Sequence, residues 1–93
     1  MAAISVLIEA LRRRDLLDAV DEVCRRRHVT RDDLCGRRRT RAATSARQEV
    51  WWLLRHHPEL HFSFADIGRL FDRDHTTIMA GVCAHERRRA TSF

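Results

Sequence analysis

Three small side chains near the carboxyl end of the chain are spaced so that they could read the bases of a DNA duplex. Thr76, Ala80 and Cys83 follow one another at intervals of four and three residues, which places them on one stripe of a helix. The stripe is nearly uncharged, and a threonine hydroxyl or an alanine methyl there can meet a base edge or a thymine methyl. The pattern indicates a DNA-reading stripe, with packing on another protein as the alternative.

The residues just before this stripe are suited to holding a phosphate. Asp74 is a typical N-cap residue, so a helix is expected to begin at His75. The backbone N–H groups of His75, Thr76 and Thr77 would then be free at the positive end of the helix dipole, which attracts anions. Arg73 lies beside them in the sequence. We therefore expect DNA phosphate at this helix end.

The basic residues of the chain are of a single type, which narrows the possible functions. All 18 are arginine, the 93 residues include no lysine or tyrosine, and the formal net charge is +5. Without lysine there is no Walker A phosphate loop or Schiff-base amine, and the three glycines are too far apart for a dinucleotide-binding fingerprint. We therefore expect no enzymatic activity, no cofactor, and nucleic acid as the partner of this small basic domain.

Two clusters of metal-binding or catalytic residue types are alternatives to DNA binding. Cys24 and His28 are four residues apart with Cys35 nearby, but the CxxC spacing of zinc sites is missing and Cys24 fits a core position. A hydrolase would use His57, Asp66, Asp72 and His75. Its carboxylates are more typical of helix caps and turns, and nothing organises them around a metal or a nucleophile. We expect neither a metal site nor a catalytic site.

The amino-terminal segment has neither the charge order of a signal peptide nor the length of a membrane span. Its apolar stretch, residues 2–11, contains Glu9 and is followed rather than preceded by arginines. The three cysteines include no CxxC pair, which suits reduced thiols better than a disulfide framework. We expect a cytoplasmic, nucleoid-associated protein without a membrane partner.

The elements that must position the DNA-reading stripe all follow helical patterns. Apolar residues recur at helical spacing and no run alternates as a strand would, so the predicted fold class is all-α. Residues 4–11 and 16–24 are expected to form two helices or one bent helix. Thr30 and Asp33 start a short helix by a capping box, and Gly36 is expected to end it in the left-handed conformation.

A central helix and a helix-turn-helix complete the predicted domain. The central helix runs from about residue 42 to 57, is ended by Pro58, and carries Trp51 mostly in the core. A second capping pair, Ser63 and Asp66, starts the next helix, and the last helix begins three or four residues after that one ends. The prediction is a compact helical domain with a helix-turn-helix and an upstream basic loop.

Several segments of the chain resemble a known family. The run IGRLFDRDHTTIMA at residues 67–80 is similar to the signature of the C-terminal DNA-binding domain of bacterial chromosomal replication initiators of the DnaA family. Upstream, DLCGRRRTR at residues 33–41 and ARQ at residues 46–48 fall where that domain has its basic loop and central helix. The resemblance covers roughly Asp18 to Ala84.

The resemblance implies binding to short asymmetric duplex sites of the TTATCCACA type. It implies that major-groove bases are faced by Asp74, His75, Thr76, Thr77 and Ala80. Arg39 would enter the adjacent minor groove, because a narrow A·T-rich groove attracts guanidinium groups. Phosphates would be held, without reading of sequence, by Arg41, Arg47, Gln48, Arg55 and Arg73.

The chain departs from the family pattern at two positions near these residues. Asp72 stands where glycine is common, which brings an extra carboxylate close to the backbone. Cys83 stands where the family commonly has a basic residue, so one expected phosphate contact is missing. Both changes are expected to alter the affinity or the site preference.

The domain division and the expected function follow from this resemblance. Residues 1–17 are expected to form an N-terminal helix that could bind a protein, and residues 18–93 a DnaA-type DNA-binding domain. The expected function is binding to DnaA-box-like duplex DNA, which would modulate replication initiation by occupying boxes or by assisting the initiator. The alternatives are an adaptor that binds the full-length initiator or another replication protein through residues 1–17, and a phage or plasmid transcription regulator of the same fold.

Overall fold

Five helices make up the part of the chain that the computed structural model describes, which comprises residues 16–37, 39–57 and 62–91. In chain order they are α1 Leu17–Arg27, α2 Arg31–Cys35, α3 Arg41–Arg55, α4 Phe64–Phe71 and α5 His75–Ala90. These residues include no strand, so the all-α prediction is confirmed. None of the five helices is long and apolar enough to cross a membrane. The helix expected at residues 4–11 lies outside the described residues.

Helix α3 is the element on which the other helices pack. It contacts α1, α2, α4 and α5, and the last two also contact each other. Its side chains Val50 and Leu54 are fully buried. Trp51 is also buried, as expected, and its ring lies edge-on to that of Phe71 with the centroids 6.0 Å apart. The central helix therefore fixes the position of the two carboxyl-terminal helices.

Helices α2 and α4 begin where the capping signals of the sequence predict. Thr30 and Asp33 form a capping box at the start of α2, and Ser63 and Asp66 form another at the start of α4. In each box the hydroxyl of the Thr or Ser accepts a hydrogen bond from the backbone N–H of the Asp, and the Asp carboxylate accepts one from the backbone N–H of the Thr or Ser. Both predicted helix starts are confirmed.

The ends of α3 and the start of α1 differ slightly from the expected boundaries. Helix α3 ends at Arg55 rather than near residue 57, because His56 leaves the helical conformation with a φ of −100° and a ψ of 12°, although its N–H still donates to the carbonyl of Trp52 at 3.0 Å. Pro58, the expected terminator, lies outside the described residues. Helix α1 begins at Leu17. Of the apolar side chains expected at helical spacing here, Leu17 is only partly buried, and four are buried: Leu16, Val20, Val23 and Cys24.

The prediction of a left-handed Gly36 is wrong. Its φ of −79° and ψ of −177° are extended, and among the described residues only His28 and Asp72 have a positive φ. The N–H of Gly36 donates to the carbonyl of Asp32 at 2.8 Å, and its own carbonyl accepts the Arg73 guanidinium. An extended exit from α2 satisfies both groups, so the helix end needs no left-handed residue.

Asp72 carries the left-handed conformation that the turn after α4 requires. Its φ of 55° and ψ of 51° cost a side-chain-bearing residue conformational energy that glycine does not pay. We expect Asp72→Gly to raise the free energy of unfolding by about 1 kcal/mol. Urea denaturation should show a higher midpoint at an unchanged slope. Asp32→Gly within α2 is the control and should not stabilise, whereas a lower midpoint for Asp72→Gly would contradict the prediction.

Candidate nucleic-acid interface

A three-residue turn, Asp72 to Asp74, joins α4 to α5 and makes the helix-turn-helix that the sequence predicts. The N–H of Arg73 donates to the carbonyl of Gly68 at 2.8 Å and closes the corner. A Cβ at Gly68 would lie 2.5 Å from the carbonyl oxygen of Arg73, so the approach of the turn to α4 requires glycine at this position. The corner fixes the direction in which α5 begins.

An open groove of about 830 Å³ lies between the amino end of α5, the loop between α2 and α3, and one face of α3. Its lining includes four arginines and two aspartates, so its formal charge is positive. Eight of the eleven predicted contact residues line this groove: Arg39, Arg47, Gln48, Arg73, Asp74, Thr76, Thr77 and Ala80. The fold thus brings together residues predicted to read bases and residues predicted to hold phosphates.

The stripe on α5 that was predicted to face DNA is exposed. Thr76, Ala80 and Cys83 are exposed along the helix, and Thr77 beside them is exposed as well. Ile78, on the opposite side, is fully buried against the core. Because the core face is fixed by packing, the small side chains of the stripe are the ones that α5 presents to the groove and to solvent.

Three predicted contact residues lie outside the groove. His75 is exposed at the first position of α5 and lines a separate shallow depression on the side of α4. Arg41 is exposed at the first position of α3. Arg55 is exposed at the other end of α3, where its guanidinium lies 4.8 Å from the centroid of the Phe64 ring. The structure does not bring these three residues to the groove.

Two of the three amides that were expected to be free in the first turn of α5, those of Thr76 and Thr77, are hydrogen-bonded. The carboxylate of Asp74 accepts the backbone N–H of Thr76 at 3.1 Å and also its hydroxyl, and the N–H of Thr77 donates to the carbonyl of Asp74 at 3.1 Å. The two hydrogen bonds from Thr76, with the side-chain one as the larger cause, lower the pKa of the Asp74 carboxyl group. The cap therefore places a carboxylate at this end of α5.

Arg47 lies deeper in the groove than its predicted role suggested. The residue is 6% exposed, and its Nε donates to the carbonyl of Asp33 at 3.0 Å. Its Nη2 is buried and has no hydrogen-bond partner among the described residues. Burial is the main cause of the lowered pKa of this guanidinium. Arg47 thus links α3 to α2 and retains an unused donor at a position that lines the groove.

The floor of the groove beside Arg47 is also polar. The Gln48 Oε1 and the Trp51 Nε1 are buried without a hydrogen-bond partner among the described residues. Helix α5 comes close to both side chains at Gly81, where a Cβ would lie 2.6 Å from the Trp51 ring and 3.2 Å from Gln48. Buried polar groups without partners are uncommon in folded proteins, so this floor is suited to a polar ligand.

The Arg73 guanidinium forms its contacts with backbone carbonyls of the domain. Its Nη1 donates to the carbonyl of Phe71 at 2.7 Å and lies 3.4 Å from that of Cys35, and its Nη2 donates to the carbonyl of Gly36. These bonds fasten the helix-turn-helix corner to the end of α2. An arginine has five N–H donors, so three carbonyls leave some for a ligand.

Arg37, at the start of the basic loop, lines the groove but is not among the eleven predicted contact residues. Its Nη2 donates to the backbone carbonyl of Asp72 at 3.0 Å and lies 3.3 Å from the Asp72 carboxylate. The extra carboxylate at position 72 thus forms an ion pair with an arginine from the basic loop. The signal in the sequence was the charge of the loop, but the pairing spans 35 residues and depends on the fold.

The metal and hydrolase alternatives receive no support from the geometry. Within residues 16–37, 39–57 and 62–91, no three His, Cys, Asp or Glu side chains form a group that could hold a metal ion. Cys24 is a buried core residue. Asp66 caps α4, and accepting the N–H of Ser63 lowers the pKa of its carboxyl group. These groups serve the fold.

Comparisons with known proteins agree with this architecture. The family model of the bacterial DnaA protein helix-turn-helix matches residues 18–84. The chain is 32% identical over 73 residues, or 78% of its length, to the chromosomal replication initiator protein DnaA of Oleidesulfovibrio alaskensis, of which it spans 15%. No match to a solved structure was found. Because the family model covers most of the chain, including the helix-turn-helix and the groove, the chain belongs to the bacterial DnaA helix-turn-helix family of DNA-binding domains.

Proposed function

We propose that the chain binds duplex DNA sequence-specifically at DnaA-box-like sites, with the amino end of α5 in the major groove. The observation that carries this proposal is the groove, in which an exposed stripe of short side chains on α5 faces Arg47 of α3 and the arginines of the basic loop. Short side chains allow base edges to approach, and flanking guanidinium groups hold the phosphates on either side.

The base-reading role is assigned to Asp74, His75, Thr76, Thr77 and Ala80. The ionised carboxylate of Asp74 is an acceptor that suits the amino group of a cytosine, and it is fixed in place by its hydrogen bonds to Thr76. The methyl group of Ala80, one turn further on, suits a thymine methyl. His75 lies beside the groove and would reach the outermost base of the site.

The minor-groove role is assigned to Arg39. It is exposed in the loop between α2 and α3, one residue before Thr40, whose hydroxyl caps α3 by accepting the N–H of Ala43 at 3.2 Å. An arginine anchored next to a helix start can extend into the narrow minor groove that adjoins the major-groove contacts.

The phosphate-binding role is assigned to Arg41, Arg47, Gln48, Arg55 and Arg73. Arg47 supports it most strongly, because a buried Nη2 without a partner in the described residues would gain a charge-assisted hydrogen bond from a phosphate. For Arg73 the role rests on the donors that its three carbonyl contacts leave over. Arg41 and Arg55 would extend the contact along the backbone from the two ends of α3.

The consequence of binding is proposed to be modulation of replication initiation at the chromosome, in the cytoplasm. A domain that occupies a box excludes another protein from it and needs no further chemistry to do so. Assistance to the initiator through the N-terminal segment, residues 1–17, is the second form of the proposal. That segment would then be a unit distinct from the DNA-binding domain of residues 18–93, joined to it through Leu16 and Leu17, which pack with the domain.

A comparison of two kinds of variant tests the proposal. We expect Thr76→Ala to weaken binding to a box duplex by about 1–3 kcal/mol and to leave binding to a scrambled duplex unchanged, because it removes a base contact. Arg47→Ala should weaken binding to both duplexes equally, and Arg41→Ala should do so without disturbing a buried contact. Titrations by fluorescence anisotropy, with the fold checked by circular dichroism, measure both effects.

The control is Met79→Ala, which alters an exposed side chain of α5 outside the groove and should change neither affinity. For about six neutralised phosphates, the logarithm of the association constant should fall with the logarithm of salt concentration at a slope near −5. Uniform weakening by Thr76→Ala, or a salt slope near zero, would show that the division into base-reading and phosphate-binding residues is wrong.

A further inference from the structure

A second cluster of arginines lies on another face of α3, away from the groove. It surrounds an open depression of about 550 Å³ that is formed by the ends of α1 and α5 and the middle of α3. The lining side chains are Arg26, Arg27, Ser45, Glu49, Trp52, His85, Arg88 and Arg89. At 100° per residue, the α3 residues of this depression are centred about 115° from those of the groove. We call this set the second arginine cluster.

The second arginine cluster has more positive charge than its own carboxylate can neutralise. Glu49 accepts two hydrogen bonds from Arg26, at 2.7 and 3.2 Å, and one from Arg27 at 2.6 Å. Burial favours the neutral form of Glu49, but these hydrogen bonds outweigh it and lower the pKa. With one ionised carboxylate among four guanidinium groups, an excess of three formal positive charges remains at the depression.

The surroundings of Arg88 and His85 indicate that an anion would be stabilised there. Burial, followed by the nearby charge of Arg27, lowers the pKa of Arg88. His85 is 6% exposed, and its Nδ1 is buried without a hydrogen-bond partner among the described residues. Burial lowers the pKa of His85, Glu49 opposes the shift, and the charge of Arg88 adds to it. A bound anion would relieve the repulsion among these groups.

The lining favours a nucleic-acid backbone over a protein segment. Trp52 is the one large apolar side chain in it, and the Arg89 guanidinium covers its ring at 4.1 Å from the centroid. Protein interfaces depend on apolar anchors that fill pockets, and this depression has none open among its described lining residues. A phosphate backbone is bound by guanidinium groups alone, without regard to sequence.

The second arginine cluster lies too far along α5 to be a continuation of the groove. Arg88 follows Thr76 by twelve residues, so it lies about 18 Å further along α5, away from the end that faces the groove. We propose that the second arginine cluster binds the phosphate backbone of a separate DNA duplex, so that one chain bridges two DNA segments. The bridging rests on the proposed function, because the first segment is held in the groove, whereas the backbone contact itself does not.

A capture assay tests this proposal. A short box duplex is immobilised, saturated with the full chain and washed, and a labelled duplex without a box is then added at about 0.1 M salt. We expect the wild-type chain to capture the second duplex and the double variant R88A/R89A to lower this capture by at least about tenfold, because two phosphate contacts are lost. Binding of the box duplex alone should stay unchanged.

The control is R25A/R87A, which removes the same total charge from the ends of α1 and α5, the two helices that border the depression, but at positions outside its lining. It should capture the second duplex like the wild-type chain. Undiminished capture by R88A/R89A would overturn the proposal and would indicate that two copies of the chain make the bridge. Tighter binding of poly-glutamate than of the duplex would also overturn it, in favour of an acidic protein partner.

The assay separates failure of this proposal from failure of the proposed function. A wild-type chain that shows no preference for the box, but loses DNA binding in R88A/R89A, would contradict the groove assignment and support the second arginine cluster. A chain that prefers the box and never captures a second duplex would contradict the second arginine cluster and leave the groove assignment intact.

Discussion

Phe71→Ala is expected to lower the free energy of unfolding by about 4 kcal/mol. Phe71 is completely buried, ends α4 and packs edge-on against Trp51 of α3. Its removal would leave a cavity between the helix-turn-helix and the central helix, where no side chain can easily refill the space. The free energy of unfolding of small domains is about 5–15 kcal/mol, so a loss of this size should leave the variant only marginally stable.

Urea denaturation followed by circular dichroism measures this loss, and Leu70→Ala is the matched control. Leu70 precedes Phe71 on the same helix but is only partly buried. Its truncation should cost about 1 kcal/mol. Equal losses for the two variants would show that Phe71 does not hold α4 against α3, and that the groove is positioned by other contacts.

The wild-type chain is expected to bind a duplex that carries a TTATCCACA-type box at least about 4 kcal/mol, or roughly a thousandfold, more tightly than a scrambled duplex. The arginines of the groove contribute equally to both duplexes, because phosphate contacts carry no sequence information. The preference must therefore come from the small side chains of α5 and from Arg39 in the minor groove.

Parallel titrations of the two duplexes at one salt concentration measure this preference. The Asp72→Gly variant is a useful companion, because it changes the turn before α5 without removing a predicted base contact. Equal affinity for the two duplexes would make the protein a general DNA-coating domain. Absence of binding even at low salt would favour the adaptor alternative.

The helix-turn-helix could be predicted from the sequence because its signals are local. The capping box of Ser63 and Asp66 and the N-cap at Asp74 each involve residues at most three apart. The two hydrogen bonds of the box and the hydrogen bond of the cap are all present. The stripe that begins at Thr76 needed only helical periodicity. Such features depend little on how the helices pack.

The features that the sequence predicted wrongly, or did not predict, are contacts between distant parts of the chain. Gly36 is extended because its carbonyl accepts Arg73, which is 37 residues away. The pairing of Arg26 with Glu49 spans 23 residues, and the pairing of Arg37 with Asp72 spans 35. These contacts depend on the angles between packed helices, and local patterns do not contain that information.

The same distinction applies within the candidate site. Arg47 was expected among the phosphate-binding residues from the family resemblance. The structure buries it, because its side chain reaches the carbonyl of Asp33 in the middle of the neighbouring helix α2. The predicted residue types are thus present in the groove, but their depth and their partners had to come from the structure.

The structure of the chain in complex with a box duplex tests the central claim most directly. We expect the amino end of α5 to lie in the major groove, with Thr76, Thr77 and Ala80 within contact distance of base edges and Arg39 in the adjacent minor groove. A complex in which the duplex contacts only the second arginine cluster, with the amino end of α5 facing solvent, would contradict it.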